Sequence, residues 1–153
     1  MNARLAPPAR DSLPAGVHLA PVKIRFAHCD PAGIVYFARW FDMINGVIED
    51  FFAAALGLDY HVLIRDRRVG LGYGQAHADY LKPGLMGDIV DFAVLVERIG
   101  GASFGLLVPG YRGSEPVIAA RLVVVTTDLD AHRAMRLPDD LRAALAAYEE
   151  RSR

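Results

Sequence analysis

The chain has 153 residues, which at about 150 residues per domain indicates a single domain. Its 17 basic and 18 acidic residues give a formal net charge of −1, which argues against nonspecific nucleic-acid binding. Hydrophobic residues make up 53% of the chain, yet no apolar run approaches the roughly 20 residues of a membrane helix. We therefore expect neither a nucleic-acid nor a membrane partner, and we assign the apolar excess to an interface between copies of this chain.

The first residues differ in composition from the rest of the chain. Residues 1–19 contain prolines and alanines without a helical or strand period, so we predict a flexible tail there and one domain over residues 20–153. The single cysteine, Cys29, rules out an internal disulfide and favours a reducing compartment. We therefore expect a cytoplasmic protein.

The first predicted elements are a strand, a turn and a long helix. Alternation of Val22, Ile24 and Phe26 with charged residues predicts a strand over residues 20–27. Residues 28–33 read HCDPAG, and their Asp-Pro and Gly content indicates a turn. From Phe37 to Ala55 apolar residues recur at i, i+3, i+4 and i+7, which predicts one amphipathic helix that Gly57 is placed to cap.

The remainder of the chain predicts strands and a short terminal helix. Stretches of alternating or apolar residues at 76–81, 90–96, 103–111 and 117–127 are separated by short glycine-containing turns or loops, as in an antiparallel meander. Pro138 begins a helix that extends to about Arg151. A single long helix beside an antiparallel sheet is an α+β arrangement.

Asp30 is the first candidate for chemistry because it lies between the end of a strand and the start of a helix. The N–H groups expected to be free at that helix start, those of Tyr36, Phe37 and Ala38, attract negative charge. A carboxylate beside such a helix end supplies the attacking group and the oxyanion site that hydrolysis of an activated carbonyl requires. From the spacing alone, the favoured interpretation is that Asp30 merely caps the turn, because Asp-Pro turns are common.

The segment 26–37, with the sequence FAHCDPAGIVYF, resembles the signature of the 4-hydroxybenzoyl-CoA thioesterase family in its aspartate branch. Shorter matches follow in the same order, at residues 39–42 (RWFD), 80–83 (YLKP) and 103–104 (SF). The resemblance as a whole covers about residues 20–140. It implies the hotdog fold, in which a five-stranded antiparallel sheet wraps around one long helix. It also implies hydrolysis of an acyl-CoA thioester by a homodimer or homotetramer with sites between subunits.

The same resemblance assigns roles to residues. Asp30 becomes the catalytic carboxylate, which attacks the thioester carbonyl or activates a water molecule, and the backbone N–H of Phe37 polarises the carbonyl oxygen. An aryl or arylalkyl acyl group is favoured, and no metal or cofactor is expected beyond the CoA of the substrate. We predict that five further residues contact the substrate: Tyr36, Trp40, Asn45, Arg98 and Ser103.

The chain departs from the family pattern at two places. Only Ala38 separates Phe37 from Arg39, where relatives usually carry a proline and sometimes further residues, so the helix start and the oxyanion donor can shift by one residue. Arg98 is the only basic residue close before Ser103, which makes an acyl-carrier-protein thioester an alternative substrate.

Three alternatives to this assignment are compatible with the sequence, one in the catalytic residue and two in the function. Glu49 on the long helix would be the catalytic carboxylate if the chain belonged to another branch of hotdog thioesterases. A hotdog hydratase or dehydratase, which uses a histidine with an acid near the helix, is a second alternative. A noncatalytic binder of acyl thioesters is the third, because a fold does not determine a function.

Overall fold

The structure is a computed structural model that describes residues 3–153. Within that range the helices are α1 (Arg39–Phe51), α2 (Tyr60–Arg65) and α3 (Asp139–Arg151). The strands are β1 (His18–Lys23), β2 (Val69–Tyr80), β3 (Ile89–Ile99), β4 (Ser103–Arg112), β5 (Glu115–Asp128) and β6 (Arg133–Ala134). No helix in this described part of the chain is both long and apolar enough to cross a membrane.

The strands form one antiparallel sheet in the order β1-β3-β4-β5-β2, with the short β6 beside β5. The predicted meander is correct for β3, β4 and β5, and it is wrong for β2. After β1 the chain enters α1, which carries it across the sheet, so β2 is added at the edge opposite β1. A single loop over residues 81–88 then returns the chain to β3, which pairs with β1.

The sheet curls around α1, which confirms the predicted α+β hotdog fold. The apolar stripe of α1 is buried against the concave face of the sheet through Trp40, Met43, Ile44, Val47, Ile48 and Phe51. The helix widens to a π-turn over Phe52–Leu56 and ends at Gly57, whose φ of 67° glycine adopts at less cost than other residues. The predicted cap is therefore confirmed.

Two local predictions differ from the structure. The first strand begins at His18, ahead of its predicted start, and ends at Lys23; residues Phe26–His28 form a 3₁₀ turn instead, with Phe26 81% exposed. Helix α2 was not predicted. Its start is stabilised by the Asp59 side chain, which accepts a hydrogen bond from the N–H of Val62 over 3.0 Å.

The segment before β1 lies on the face of the sheet opposite α1. The N–H of Leu5 donates to the Asp79 carboxylate over 2.6 Å, and the hydroxyl of Tyr111 donates to the carbonyl of Pro8 over 2.7 Å. Val17 is buried in a small apolar cluster with Tyr111. The domain boundary predicted after residue 19 thus falls inside β1.

Candidate active site

Asp30 lies at the tip of a tight hairpin that precedes α1. Its N–H donates to the carbonyl of Ile34 over 2.9 Å, and the N–H of Gly33 donates to the carbonyl of Asp30 over 2.9 Å. The N–H of Ala32 donates to Asp30 Oδ1 over 2.8 Å. Asp30 therefore does cap the turn. Within residues 3–153 its other carboxylate oxygen, Oδ2, has no hydrogen-bond partner, so the turn engages only one of the two carboxylate oxygens.

The start of α1 offers fewer free N–H groups than the sequence indicated. The N–H of Tyr36 donates to the carbonyl of His28 over 2.9 Å, because Tyr36 belongs to the second arm of the hairpin. The expectation of a free N–H at Tyr36 is therefore wrong. Helix α1 begins at Arg39, and the N–H groups of Phe37 and Ala38 have no acceptor in the described part of the chain. The Tyr36 ring is 47% exposed and packs against the Phe37 ring, with 4.9 Å between centroids.

The hairpin is attached to the loop that leads into β3. The N–H of Val35 donates to the carbonyl of Gly84 over 2.9 Å, and Ile34 bridges to Leu85. Gly84 is required here because a Cβ atom would lie 2.6 Å from the Trp40 ring. Trp40, a predicted substrate-binding residue, is only 3% exposed and packs edge-on against Phe92. Its side chain is therefore mainly part of the hydrophobic core.

A first cavity opens where α1 begins and β2 ends. Its volume is about 310 Å³, and Phe37, Trp40, Tyr80 and Leu81 contribute to its walls. The Tyr80 hydroxyl donates to the carbonyl oxygen of Phe37 over 3.3 Å, which links the end of β2 to the turn before α1. Burial raises the pKa of Tyr80, so its hydroxyl is protonated at neutral pH.

A second cavity of about 340 Å³ lies further along the same cleft between α1 and β2. Phe41 and Ile44 contribute apolar walls, and Asn45 and Tyr73 are polar groups within it. The Tyr73 hydroxyl donates to Asn45 Oδ1 over 2.8 Å. Burial, with a smaller contribution from Tyr60, raises the pKa of Tyr73. Asn45 was predicted to contact substrate. The structure places it in the wall of this cavity, and substrate contact stays a prediction.

Sequence reasoning missed Tyr73 and Tyr80. In a regular strand these two positions point to opposite faces, because side chains alternate. The pairing of β2 with β5 shifts between Tyr73 and Gln75, which places Gly74 in a bulge. The bulge restores both tyrosines to the concave face. A strand glycine often marks a bulge, but Gly70 and Gly72 stand in the same strand, so the sequence did not single out Gly74.

Glu49, the alternative carboxylate, lies near the other end of α1. Its Oε1 is 3.0 Å from Nε2 of His61, and both residues line a cavity of about 400 Å³ that also includes Tyr60. Burial, assisted by the negative charge of Glu49, raises the pKa of Tyr60. The structure therefore separates the two candidate carboxylates, with Asp30 before the start of α1 and Glu49 close to its end.

Arg98 and Ser103 contact each other at the turn between β3 and β4, where Arg98 Nη2 donates to Ser103 Oγ over 3.2 Å. The Asp30 hairpin is attached just before Ile89, at the opposite end of β3. At about 3.3 Å per residue, Arg98 lies roughly 30 Å along the strand from Ile89. Within one chain, Arg98 and Ser103 therefore lie at the far end of β3 from the Asp30 hairpin.

Comparisons with known proteins give consistent results. A family model described as the thioesterase-like superfamily matches residues 24–145. The 1,4-dihydroxy-2-naphthoyl-CoA hydrolase of Synechococcus elongatus is 28% identical over 120 residues, which cover 78% of this chain and 88% of that protein.

Two solved structures show the same fold. A 1,4-dihydroxy-2-naphthoyl-CoA thioesterase from Synechocystis has a TM-score of 0.78 and 18% identity, over 85% of this chain and 96% of its own. A thioesterase-superfamily protein from a Jannaschia species has a TM-score of 0.81 and 22% identity, over 94% of this chain and 97% of its own.

Proposed function

Because the chain belongs to the thioesterase-like superfamily, we propose that it hydrolyses an acyl-CoA thioester, with Asp30 as the catalytic carboxylate and the N–H of Phe37 as the oxyanion donor. The motif at 26–37 supports the 4-hydroxybenzoyl-CoA thioesterase branch. One observation carries the proposal: a single hairpin presents a carboxylate with a free oxygen and leads directly into the unpaired N–H groups before α1.

The chemistry can follow either of two routes. In the first, Asp30 Oδ2 attacks the thioester carbon, the CoA thiolate leaves, and water hydrolyses the mixed anhydride that remains. In the second, Asp30 removes a proton from a water molecule while the water oxygen attacks the same carbon; the CoA thiolate then leaves and takes up that proton from Asp30. Both routes yield a carboxylate and CoA. In both, negative charge develops on the carbonyl oxygen, where the Phe37 N–H and the α1 dipole stabilise it.

We propose an aryl acyl group as the occupant of the cleft between α1 and β2. The two cavities there follow each other along α1, and aromatic rings from Phe37, Trp40 and Phe41 contribute to their walls. Concave, largely apolar sites with a few polar groups are the usual places for small molecules. The Synechococcus and Synechocystis relatives are named for an aryl-CoA substrate, which supports the same choice.

We propose that the protein acts as a homodimer or homotetramer. The 12-residue strand β2 is at the edge of the sheet and has only β5 as a partner within residues 3–153. A long unprotected edge strand readily pairs with another chain. Light scattering at micromolar concentration is expected to give the mass of a dimer or a larger assembly. A monomeric mass with full activity would contradict this assignment.

Hydrolysis is tested with a panel of aryl- and alkyl-CoA thioesters and a reagent that detects the released thiol. Asp30→Asn is expected to lower kcat by about 10²-fold or more, because the amide cannot attack or accept a proton at neutral pH. Asp66→Asn is the matched control, since Asp66 is exposed and, within residues 3–153, its side chain pairs only with Arg65. An Asp30→Asn variant with the activity of the control would refute the assignment.

A second candidate function is favoured by the contact between Glu49 and His61. A carboxylate held against an imidazole is an acid–base pair that addition of water to an enoyl thioester could use. The same panel should therefore include enoyl-CoA, followed by the loss of its absorbance. Hydration that is lost in Glu49→Gln and retained in Asp30→Asn would select this function over thioester hydrolysis.

A further inference from the structure

We propose that Tyr80 is a positioning residue for the oxyanion site. Its hydroxyl sets the orientation of the peptide unit between Phe37 and Ala38, so that the Ala38 N–H acts as a second donor beside the N–H of Phe37. This inference rests on the proposed function, because it takes the start of α1 as the place where the thioester carbonyl binds. It requires no contact between Tyr80 and the substrate.

Within residues 3–153, the peptide unit between Phe37 and Ala38 is held by one hydrogen bond. Its carbonyl oxygen accepts from the Tyr80 hydroxyl over 3.3 Å, and its N–H has no acceptor in that range. Helix α1 offers no substitute, since the N–H of Phe41 donates to the carbonyl of Ala38 and not to that of Phe37. No side chain caps the helix start, because alanine has no polar group with which to do so. The orientation of this peptide unit therefore depends on a tyrosine that belongs to a different element.

The preceding peptide unit, which carries the N–H of Phe37, is held in another way. Its carbonyl oxygen, that of Tyr36, accepts from the N–H of Arg39 over 2.8 Å. This bond lies within the turn itself and does not involve β2. The turn therefore orients the Phe37 N–H, whereas the sheet, through Tyr80, orients the Ala38 N–H.

The bond from Tyr80 also determines the direction of the Ala38 N–H. In a trans peptide the C=O and N–H groups point in opposite directions, so a carbonyl oxygen bound to β2 directs the N–H away from that strand. Ala38 has helical dihedral angles, with φ of −70° and ψ of −26°. Its N–H therefore joins the free N–H groups at the start of α1, where the helix dipole favours negative charge. Preorganised N–H donors of this kind form the oxyanion sites of acyl transfer.

Tyr80 is suited to this role because its backbone belongs to the sheet. It pairs with Ile118 of β5, and the following N–H, that of Leu81, donates to the carbonyl of Val117 over 2.9 Å. Because burial raises the pKa of Tyr80, its hydroxyl keeps the proton that it donates. A phenylalanine at this position would keep a ring in the cavity wall and remove only the donor.

The first test compares Tyr80→Phe with Tyr111→Phe. The control also removes a tyrosine hydroxyl that donates to a backbone carbonyl, but on the opposite face of the sheet. With an aryl-CoA thioester, Tyr80→Phe is expected to lower kcat about tenfold, the effect of about one hydrogen bond, and to leave KM within about twofold. Tyr111→Phe should change neither constant. An unchanged kcat in Tyr80→Phe, or a rise in KM with kcat retained, would overturn the inference.

A double-mutant cycle identifies the group through which Tyr80 acts. Ala38→Pro removes the N–H at a φ that proline adopts, so in that background Tyr80→Phe should lower kcat by less than about twofold. In a Phe37→Pro background the effect of about tenfold should persist, because the two donors are oriented independently. If the full effect also persists in Ala38→Pro, Tyr80 acts directly on the substrate and the inference is wrong.

A measurement without turnover separates this inference from the proposed function, and it needs no proline variant. In protein with isotopically labelled alanine, the amide resonance of Ala38 is sensitive to the hydrogen bond on the carbonyl before it, and Ala38→Gly identifies that resonance by its absence. The resonance should shift in Tyr80→Phe and stay in place in Tyr111→Phe. An unmoved resonance in Tyr80→Phe would overturn the inference whatever the activity. A shifted resonance in a protein that hydrolyses no thioester is the failure of the proposed function alone.

Discussion

The N–H of Tyr36 donates to the carbonyl oxygen of His28 over 2.9 Å, and this bond determines which backbone donors are available at the start of α1. It closes the hairpin around Asp30 and removes Tyr36 from the set of free N–H groups. Phe37 is the first residue after this bond whose N–H has no acceptor within residues 3–153, and Ala38 is the second. We therefore propose Phe37 or Ala38 as the oxyanion donor.

Proline substitution distinguishes them. Phe37→Pro removes the N–H, and proline is otherwise tolerated near a helix start, whereas Phe37→Ala retains the N–H. We expect Phe37→Pro to lower kcat by about 10² to 10³ relative to Phe37→Ala, which is the usual cost of one oxyanion donor. Circular dichroism and molar mass must first show that both variants fold and assemble alike. Equal rates for the two Phe37 variants would indicate that the N–H of Ala38 is the donor. In that case Ala38→Pro should lower kcat more than Phe37→Pro does.

Arg98 provides a test of nucleotide recognition. If its guanidinium and the bonded Ser103 hydroxyl contact the phosphates of CoA, Arg98→Ala should raise KM for CoA thioesters by about tenfold, as expected for loss of a charge-assisted hydrogen bond. The same acyl group on N-acetylcysteamine, which has no nucleotide, is the control substrate, and its KM should not change. An equal rise for both substrates, or no rise for either, would remove Arg98 from the binding site.

Gly74 is expected to be more sensitive to substitution than its near neighbour Gly72. A Cβ atom at Gly74 would lie 2.8 Å from Cγ2 of Val125, a stiff branched side chain, whereas at Gly72 it would meet nothing within 4 Å. Gly74→Ala should therefore lower the unfolding free energy by about 1 to 3 kcal/mol in urea titrations. Gly72→Ala should leave it unchanged or raise it by about 0.5 to 1 kcal/mol. Similar effects at the two positions would argue against a tightly packed bulge.

His18 predicts a dependence of stability on pH. Burial lowers its pKa below 6.5, against a smaller opposing effect of Asp50, and its Nε2 is buried without a partner in the described chain. Because burial favours the neutral imidazole in the folded protein, protonation of His18 destabilises the fold. The contribution of neutral His18 to the unfolding free energy is complete above the unfolded pKa of about 6.5, and it is lost as the pH falls through the lower pKa of the folded state. The urea unfolding free energy should therefore fall from about pH 7.5 to pH 5.5.

Substitution shows whether His18 is responsible. His18→Gln should reduce this fall, whereas His77→Gln, at a 53% exposed side chain, should not. The carboxylates whose pKa the fold lowers, such as Asp79 and Asp128, titrate below this range of pH and do not interfere. If the two variants show the same pH dependence as the wild type, another group is responsible.

The sequence by itself determined the elements whose signals are local. Helical spacing defined α1, Gly57 defined its end, and the Asp-Pro-Ala-Gly turn identified Asp30. Each of these features follows from backbone preferences and side-chain periodicity within a few residues. For this reason the fold class and the turn that carries Asp30 could be predicted before any tertiary contact was known.

Only the tertiary structure decided the position of β2 and the lining of the cleft. The position of β2 at the far edge depends on where α1 delivers the chain, which no local pattern encodes. Tyr73 reaches Asn45 because the bulge at Gly74 reverses the alternation of side chains, and the bulge exists only in the pairing of β2 with β5. A strand's local sequence specifies that its side chains alternate, but pairing with its neighbour determines where that alternation slips, and therefore which residues line the site.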